Sequence, residues 1–397
     1  SLDGRVLDAD GQALVDVRIT VSGPSLQGTR SATSDKGGHF LLQAVPVGSF
    51  ELRLSHVAHK EMKLEHVLVR LGSTTSIGEL RLERRVIEEA EVVVSARKPT
   101  VDLKSATTQN NLPSEVFSAL PNDRDFRSMV NLVPGANVTS APPSYSGTSS
   151  SISGGTGEET YFFIDGMDST DPRTAGTSTA LPYNLIQEIE VKTGGYEAEY
   201  GRASGGIVNV LTPSGGNDFH GEAFGFFTNQ NLMSATRPSA LAPDPGDFLA
   251  YDFGASLGGP IVRDKLWFNA AYNPTFDGRN AKIPVIPQQD LTTTVQRFAS
   301  KLTWRAGSAT NVALSALGDL SKGRVLRTNV GPEGPVTGTV LNEGAVMSNN
   351  ETGGLNVSLR ATHQVKSNVL LTATLARVHE RQKLIPVSDL YLTEPAF

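Results

Sequence analysis

The sequence predicts a mainly β protein in three parts: an N-terminal β-sandwich, a mixed α/β domain and about seven long strands of a transmembrane β-barrel. Two observations favour strands over helices. Apolar and polar residues alternate in many segments, and 39 Gly and 22 Pro among 397 residues supply frequent turns. A third observation, the alternation of short and long connections after residue 220, distinguishes the last part from the first.

Residues 1–83 are predicted to form the sandwich, of the transthyretin-like kind. Residues 17–21 and 50–54 alternate with period two, which places one side of each strand in a core. Turn residues recur at short intervals, at 10–11, 22–24, 35–38 and 46–48. Short strands with such closely spaced turns are typical of a β-sandwich.

Residues 84–104 are predicted to be a linker. Charged residues surround its apolar run, Val92–Val94. A segment this short cannot fold alone, but it can add as a strand to the edge of a partner's sheet. The alternative is an ordinary strand of the following domain, because short β-branched runs are common in strands.

Residues 105–219 are predicted to form the mixed α/β domain. Asn122 is the expected cap of a helix over Asp123–Leu132, with Asp125 at the capping-box position. Ser140–Gly157, rich in Ser and Gly, predicts a long loop. Three strands are expected, at Tyr161–Ile164 before the Asp165-Gly166 turn, at Ile189–Thr193 and at Ile207–Leu211.

Residues 220–397 alternate apolar with polar side chains over longer segments, such as Tyr251–Gly258 and Lys265–Tyr272. Short connections lie around Gly259–Asp264, Ala306–Thr310 and Gln364–Asn368, and long ones around Asn229–Ala250, Asn273–Leu291 and Leu320–Asn350. Short turns at one end and long loops at the other are typical of outer-membrane barrels, whose strands need about 9–11 residues to cross the bilayer. A soluble sandwich is the alternative, because its strands alternate too.

Composition argues against several classes of function. The formal net charge of −6 argues against nucleic-acid binding, and the lack of Cys excludes disulfides, thiol catalysis and Cys-ligated zinc. No catalytic Ser/His/Asp set or carboxylate pair stands out, so we expect neither enzyme activity nor a cofactor. Asp165, Asp168 and Asp171 offer the oxygen ligands that calcium takes, but the EF-hand spacing is missing and Asp-rich turns are common.

Two stretches resemble known families. Residues 33–40 and 45–50 resemble the carboxypeptidase regulatory-like domain, a non-catalytic accessory domain. Residues 196–212 are similar to the end of the plug in TonB-dependent receptors, where Tyr-Gly, a small residue and Gly-Gly precede an apolar strand containing Asn. With the junction at residues 213–221, the domain order is most like the Oar-like branch of these receptors.

The resemblance implies partners and a function. It identifies residues 91–96 with the TonB box, the segment that pairs with the inner-membrane protein TonB: Glu91, Val92, Val93, Val94, Ser95 and Ala96. It implies TonB-energised transport of an unidentified substrate across the outer membrane, with the sandwich in the periplasm and lipid around the barrel. The long outer loops and the plug loops Ser140–Gly157 and Met167–Pro182 are expected to bind the ligand. The alternatives are an Oar-like protein exporter and a surface adhesin or structural receptor.

The plug is expected to pack closely inside the barrel. The implied packing residues are Tyr200, Gly201, Arg202, Gly205, Gly206 and Asn209, and Asp165 and Gly166 are the implied plug hairpin. We expect the glycines to let the backbone approach the barrel's inner wall, ordinary turns being the alternative. Glu197, Glu199 and Arg202 are expected to pair with inward Arg and Lys of the barrel, or else to lie in a solvated loop.

The barrel strands predict a longer protein. Plugged outer-membrane transporters close a barrel of about 22 strands. The about seven strands counted here would leave open edges, which are costly in lipid. We therefore expect this chain to be part of a longer one.

Overall fold

The computed structural model describes residues 1–397 except 24, 29, 85–91, 96–105, 121–124, 140–148, 172–175, 198–199, 202, 233–246, 282–288, 308, 327–346, 367 and 388–397. The described residues form five sheets and two short α-helices. The fold is mainly β, as predicted. Among the described helices, none is long and apolar enough to cross a bilayer.

The N-terminal domain is a sandwich of two sheets. Its strands are β1 (Leu2–Asp8), β2 (Arg18–Ser22), β3 (Arg30–Thr33), β4 (His39–Leu42), β5 (Gly48–His56), β6 (His59–Val69) and β7 (Thr75–Leu82), joined by β8 (Val92–Ser95) from the linker. One sheet has the order β4-β1-β7 and the other β3-β2-β5-β6-β8. Their inner faces meet in one apolar core.

Alternation along the strands builds that core. In β5, Phe50, Leu52 and Leu54 are buried, whereas Arg53 between them is exposed. Each such side chain contributes about 1.5–3 kcal/mol when it is fully buried. The period-two pattern is thus the direct cause of the two-layer packing.

The second domain is built on one mixed sheet. Its elements are β9 (Thr108–Pro113), α1 (Ser114–Ala119), α2 (Phe126–Val130), β10 (Ala136–Thr139), β11 (Ser149–Ile152), β12 (Thr160–Ile164), β13 (Met167–Asp168), β14 (Glu188–Gly194) and β15 (Gly206–Leu211). The sheet has the order β13-β12-β15-β14-β9, and β10 and β11 form a separate hairpin. Helix α2 packs on it through Phe126, whose ring meets that of Phe162 edge-on at 6.4 Å.

Helix α2 is shorter than the sequence predicts. It begins at Phe126, and Asp125 is its N-cap, with a carboxylate that accepts the Arg127 N–H at 3.0 Å. Asp125 therefore satisfies a free backbone donor at the helix start instead of lying in its first turn. The predicted cap, Asn122, falls outside the described residues. The short helix α1 was not predicted.

The last part is a seven-stranded antiparallel sheet in sequence order. Its strands are β16 (His220–Asn229), β17 (Phe248–Val262), β18 (Leu266–Ala281), β19 (Gln289–Arg305), β20 (Thr310–Leu326), β21 (Met347–Lys366) and β22 (Val369–Pro386). Large apolar side chains such as Tyr251, Phe253 and Leu257 project outward and are exposed. Polar side chains on the other face, among them Asn273 and Asn356, are buried.

The strands extend further than the sequence indicates. Residues 273–281 and 289–291, predicted as part of a long loop, belong to β18 and β19. Pro274 and Gly278 are turn signals, but β19 pairs with both. Pairing with β17 skips Asn273 and Pro274, since proline has no N–H to donate. Unbroken pairing with β19, together with pairing to β17 on either side of this gap, therefore overrides the local turn chemistry.

Candidate functional site: the plug and its contacts

The apolar run of the linker is strand β8, at the edge of the sandwich. It runs parallel to β6, with Met62 opposite Val92 and Glu65 opposite Ser95. The sequence left a strand of the following domain as the alternative to a free segment, but β8 joins the preceding domain. It is the last strand of its sheet, so its outer edge is unpaired within the described residues. Glu91 and Ala96 lie outside the described residues.

The plug sheet has a distinct edge and centre. Strand β9, the next described strand after β8, pairs only with β14 and is the edge of the sheet. Strand β15 lies in the centre, between β12 and β14. After β15 the chain passes into β16, the first strand of the barrel. The first strand of the plug therefore lies at the edge of its sheet, and its last strand lies in the centre.

The Asp165-Gly166 turn is tied to the barrel wall. Both residues have positive φ, 52° and 77°, as a tight hairpin requires. The Asp165 carboxylate accepts the Thr212 N–H at 3.0 Å and the Thr212 hydroxyl at 2.6 Å. Lys301 Nζ on β19 donates to Asp165 Oδ1 and to the Thr212 carbonyl, both at 2.8 Å. The Lys301 and Asp165 side chains are 7% and 6% exposed, so the ion pair is buried.

The loop after the hairpin also contacts the wall. Asp319 on β20 accepts the Ala180 N–H at 2.8 Å. Asn356 on β21 donates to Ser178 Oγ at 3.4 Å and to Thr179 Oγ1. Part of the loop that was predicted to bind ligand, Met167–Pro182, is therefore bonded to the inner wall of the barrel strands.

One contact between the sandwich and the plug centres on a buried carboxylate. Glu188 of β14 is 1% exposed and lies 3.5 Å from Arg70 Nη1. Its Oε1 accepts the Leu71 N–H at 2.9 Å and Asn111 Nδ2 at 2.6 Å. Asn111 Nδ2 also donates to the Leu71 carbonyl at 3.0 Å. One plug carboxylate therefore joins the residues just after β6 to strands β9 and β14.

Strand β14 carries two further buried charges. Burial raises the pKa of Glu190, although Lys192 and a hydrogen bond from Asn209 act against this shift. Burial by itself would lower the pKa of Lys192, but the hydrogen bond with Glu197 and the charge of Glu190 raise it overall. Lys192 Nζ lies 2.8 Å from Glu197 Oε2 and 3.9 Å from Glu190 Oε1. The expected pairing of Glu197 with the barrel is wrong, because Glu197 pairs with Lys192 of the plug instead.

The packing residues of the plug make contacts that differ from the expected ones. A side chain at Gly205 would lie 3.2 Å from Glu159, and one at Gly206 would lie 2.6 Å from Ile152. Both glycines thus permit close packing within the plug rather than against the wall. Gly215, not singled out from the sequence, makes the close approach to the barrel, at the Phe268 backbone.

The remaining predicted residues lie nearby. The Tyr200 ring meets that of Phe163 edge-on at 5.5 Å, and Lys192 Nζ is 4.8 Å from the Tyr200 centroid. Asn209 Nδ2 donates to Glu190 Oε2 at 3.2 Å. Gly201 lies in a turn directly after Tyr200. Arg202 and Glu199 fall outside the described residues.

The three aspartates considered for calcium are not brought together. Asp165 is engaged by Lys301 and Thr212, and Asp168 Oδ1 accepts the Thr170 N–H at 3.0 Å. The described part of the chain holds no group of three or more His, Asp or Glu arranged for a metal ion.

Sequence reasoning missed the residues that join the parts, chiefly Lys301, Thr212, Glu188 and Arg70. Lys301 had one usable signal, a charge on the polar face of a predicted barrel strand. Glu188 had none, since a Glu before an apolar strand is ordinary. In the sequence, Lys301 is 89 residues from Thr212 and 136 residues from Asp165, and Glu188 is 117 residues from Leu71. Local patterns cannot reveal contacts over such separations.

Comparison with known families matches three segments. Residues 1–83 match the carboxypeptidase regulatory-like domain, residues 102–207 the TonB-dependent receptor plug domain, and residues 211–319 an outer membrane beta barrel domain. The TonB-dependent transporter Oar of Myxococcus xanthus is 32% identical over 69% of this chain and 26% of its own length. The ferrienterobactin receptor of Escherichia coli is 26% identical over 36% of this chain and 21% of its own length.

Solved structures share the fold. The outer membrane transporter YddB of Escherichia coli superposes with a TM-score of 0.55 at 12% identity, over 69% of this chain and 39% of its own. The ferric enterobactin receptor of Pseudomonas aeruginosa gives 0.51 at 18% identity, over 70% and 42%. This chain spans about a quarter of the curated relatives it matches. The matched plug and barrel domains and the Oar relative belong to the Gram-negative outer membrane, which locates this chain there.

Proposed function

This chain carries the plug and barrel strands of a TonB-dependent outer-membrane receptor of the Oar-like kind, and on that premise we propose that it couples TonB to transport of a substrate across the outer membrane. In this proposal TonB grips the box strand β8 and draws on the plug. The outward apolar side chains of the barrel strands contact lipid, and the sandwich lies in the periplasm.

One observation carries the proposal: β8 is linked in sequence to the edge of the plug sheet. Residues 96–107 join β8 to β9, and β9 pairs only with β14. An edge strand gives up one ladder of hydrogen bonds when it leaves, whereas the central β15 would give up two. A pull on β8 therefore reaches the plug where it can be displaced with least disruption.

The outer edge of β8 suits recognition by strand addition. Such recognition relies on main-chain hydrogen bonds, so it tolerates changes of side chain but not the loss of a backbone donor. We expect Val93→Ala to retain binding of the TonB C-terminal domain and Val93→Pro to weaken it at least about tenfold, roughly the 1.4 kcal/mol of one hydrogen bond.

The measurement is the affinity of the isolated TonB C-terminal domain for the full-length receptor in detergent, with ligand uptake by energised cells as the second readout. Val93→Ala is the matched control. Uptake and binding that survive Val93→Pro undiminished would contradict the proposal and favour a receptor or adhesin without transport.

A further inference from the structure

Strand β8 is attached to the sandwich more directly than to the plug. It pairs residue by residue with Met62–Glu65 of β6. In the sequence it is separated from β9 by residues 96–107, a stretch that spans about 40 Å when fully extended. A pull applied to β8 therefore acts on β6 without intervening chain.

Strand β6 leads straight to the plug. It ends at Val69, and the next residues, Arg70 and Leu71, hold the buried Glu188. Gly72, with a φ of 67°, lies so close to the Glu190 carboxylate that any added side chain would collide with it. One strand thus carries the box strand along its edge and the plug contact at its end.

Two further hydrogen bonds hold the sandwich against the plug and against the plug exit, the junction at residues 213–221 where the chain passes into the barrel. Gln187 Nε2, beside Glu188, donates to the Val47 carbonyl at 2.9 Å. Gln27 Nε2 donates to the carbonyl of Gly215, at the plug–barrel junction, at 3.2 Å. Among the described residues, the contacts named here between the sandwich and the plug or its junction with the barrel are one ion pair and four hydrogen bonds, each made through a side chain. Strand β9, by contrast, is held to β14 by a main-chain ladder along Thr108–Pro113.

We propose that the sandwich is a cap on the plug that TonB removes first: a pull on β8 separates Arg70 and Leu71 from Glu188 before β9 leaves β14. This rests on the proposed function, because TonB supplies the pull. The order follows from the attachment: the pulled strand is paired with the cap, and side-chain contacts hold the cap on the plug, whereas a main-chain ladder holds β9 on β14.

The test is single-molecule force spectroscopy on the full-length receptor in a nanodisc, pulled through the bound TonB C-terminal domain. We expect two successive events, a short first extension from undocking and a longer one from the plug. Arg70→Ala should shorten the lifetime of the first event about tenfold and leave the second unchanged. Gly72→Ala should do the same by wedging the contact, whereas Arg81→Ala, an exposed residue of β7, should change neither.

A first event that is absent, or that has the same lifetime in wild type, Arg70→Ala and Gly72→Ala, would overturn the cap. Failure of the proposed function looks different: the TonB domain would not hold the receptor, or Val93→Pro would not weaken it. In that case the pull is applied through a handle attached to a Ser95→Cys variant, since these 397 residues contain no cysteine of their own. The same variants then test the cap alone.

Discussion

The two sides of the plug sheet are held by contacts of different kinds. On the β12–β15 side, Lys301 and Asp165 form an ion pair that is almost fully buried and shares three hydrogen-bonding groups with Thr212. On the β14–β9 side, Glu188 is as deeply buried, but its cation, Arg70, is 35% exposed.

This difference separates a fixed side of the plug from a releasable one. Removing one member of a fully buried pair costs several kcal/mol, whereas Arg70, at 35% exposure, is already partly hydrated and moves into water at less cost than Lys301. The fixed side lies where the plug chain leaves for the barrel, and the releasable side lies toward β8. On the proposed function, we therefore expect the plug to give way from its N-terminal side first.

The largest expected effect tests the fixed side. Lys301→Met leaves the buried Asp165 carboxylate without its cation and should destabilise the plug against the barrel by about 3–5 kcal/mol. Hydrogen exchange of the β12 and β15 amides in the full-length receptor measures this loss. Adding Asp165→Asn should restore part of it, since Asn tolerates positive φ.

Lys322→Met is the matched control, because Lys322 is 80% exposed and its pair with Glu351 is a surface one. If Lys322→Met speeds hydrogen exchange as much as Lys301→Met does, or if neither variant changes it, the comparison between the two sides is wrong.

A middle-sized effect is expected at the plug exit. Gly215→Ala places a methyl group against the Phe268 backbone, which cannot move aside as a side chain can. We expect a loss of about 1–3 kcal/mol in the thermal unfolding of the plug. Gly194→Ala is the control, since its added carbon meets nothing within 4 Å. Equal stability of the two variants would show that the exit is not closely packed.

The smallest expected effects are stability changes of opposite sign at two carboxylates near Lys192. Burial raises the pKa of Glu190, so the folded plug loses stability as pH rises from about 4.3 through that raised value. Glu190→Gln should therefore stabilise the plug by about 1 kcal/mol at pH 7, with a gain that shrinks toward pH 4.

Glu197→Gln is the matched opposite. The hydrogen bond from Lys192 lowers the pKa of Glu197, so its contribution is present above about pH 4.3 and is lost as pH falls. Because Glu197 is half exposed, its loss at pH 7 should be well under 1 kcal/mol. Chemical denaturation at pH 4, 5.5 and 7 measures both variants, and shifts of the same sign would refute this assignment.

Local patterns were sufficient for most strands of this protein. The alternation in Phe50–Leu54 and in Tyr251–Gly258 states which side is apolar, and the structure buries or exposes those sides accordingly. Patterns failed where several alternatives were locally equal. Asp125 suits either a cap or a first turn, and Pro274 suits either a loop or a strand position paired on one side only, as it is here with β19.

By itself, the sequence determined the mainly β class, the apolar outward face of the barrel strands and the Gly-rich path into them, because period-two alternation and backbone freedom are properties of neighbouring residues. Only the tertiary structure decided that β8 joins the sandwich, that Lys301 holds Asp165 and that Glu188 receives Arg70 and Leu71. These pairings join residues far apart in the chain, and a buried charge is satisfied by whichever opposite group folding brings within about 3 Å.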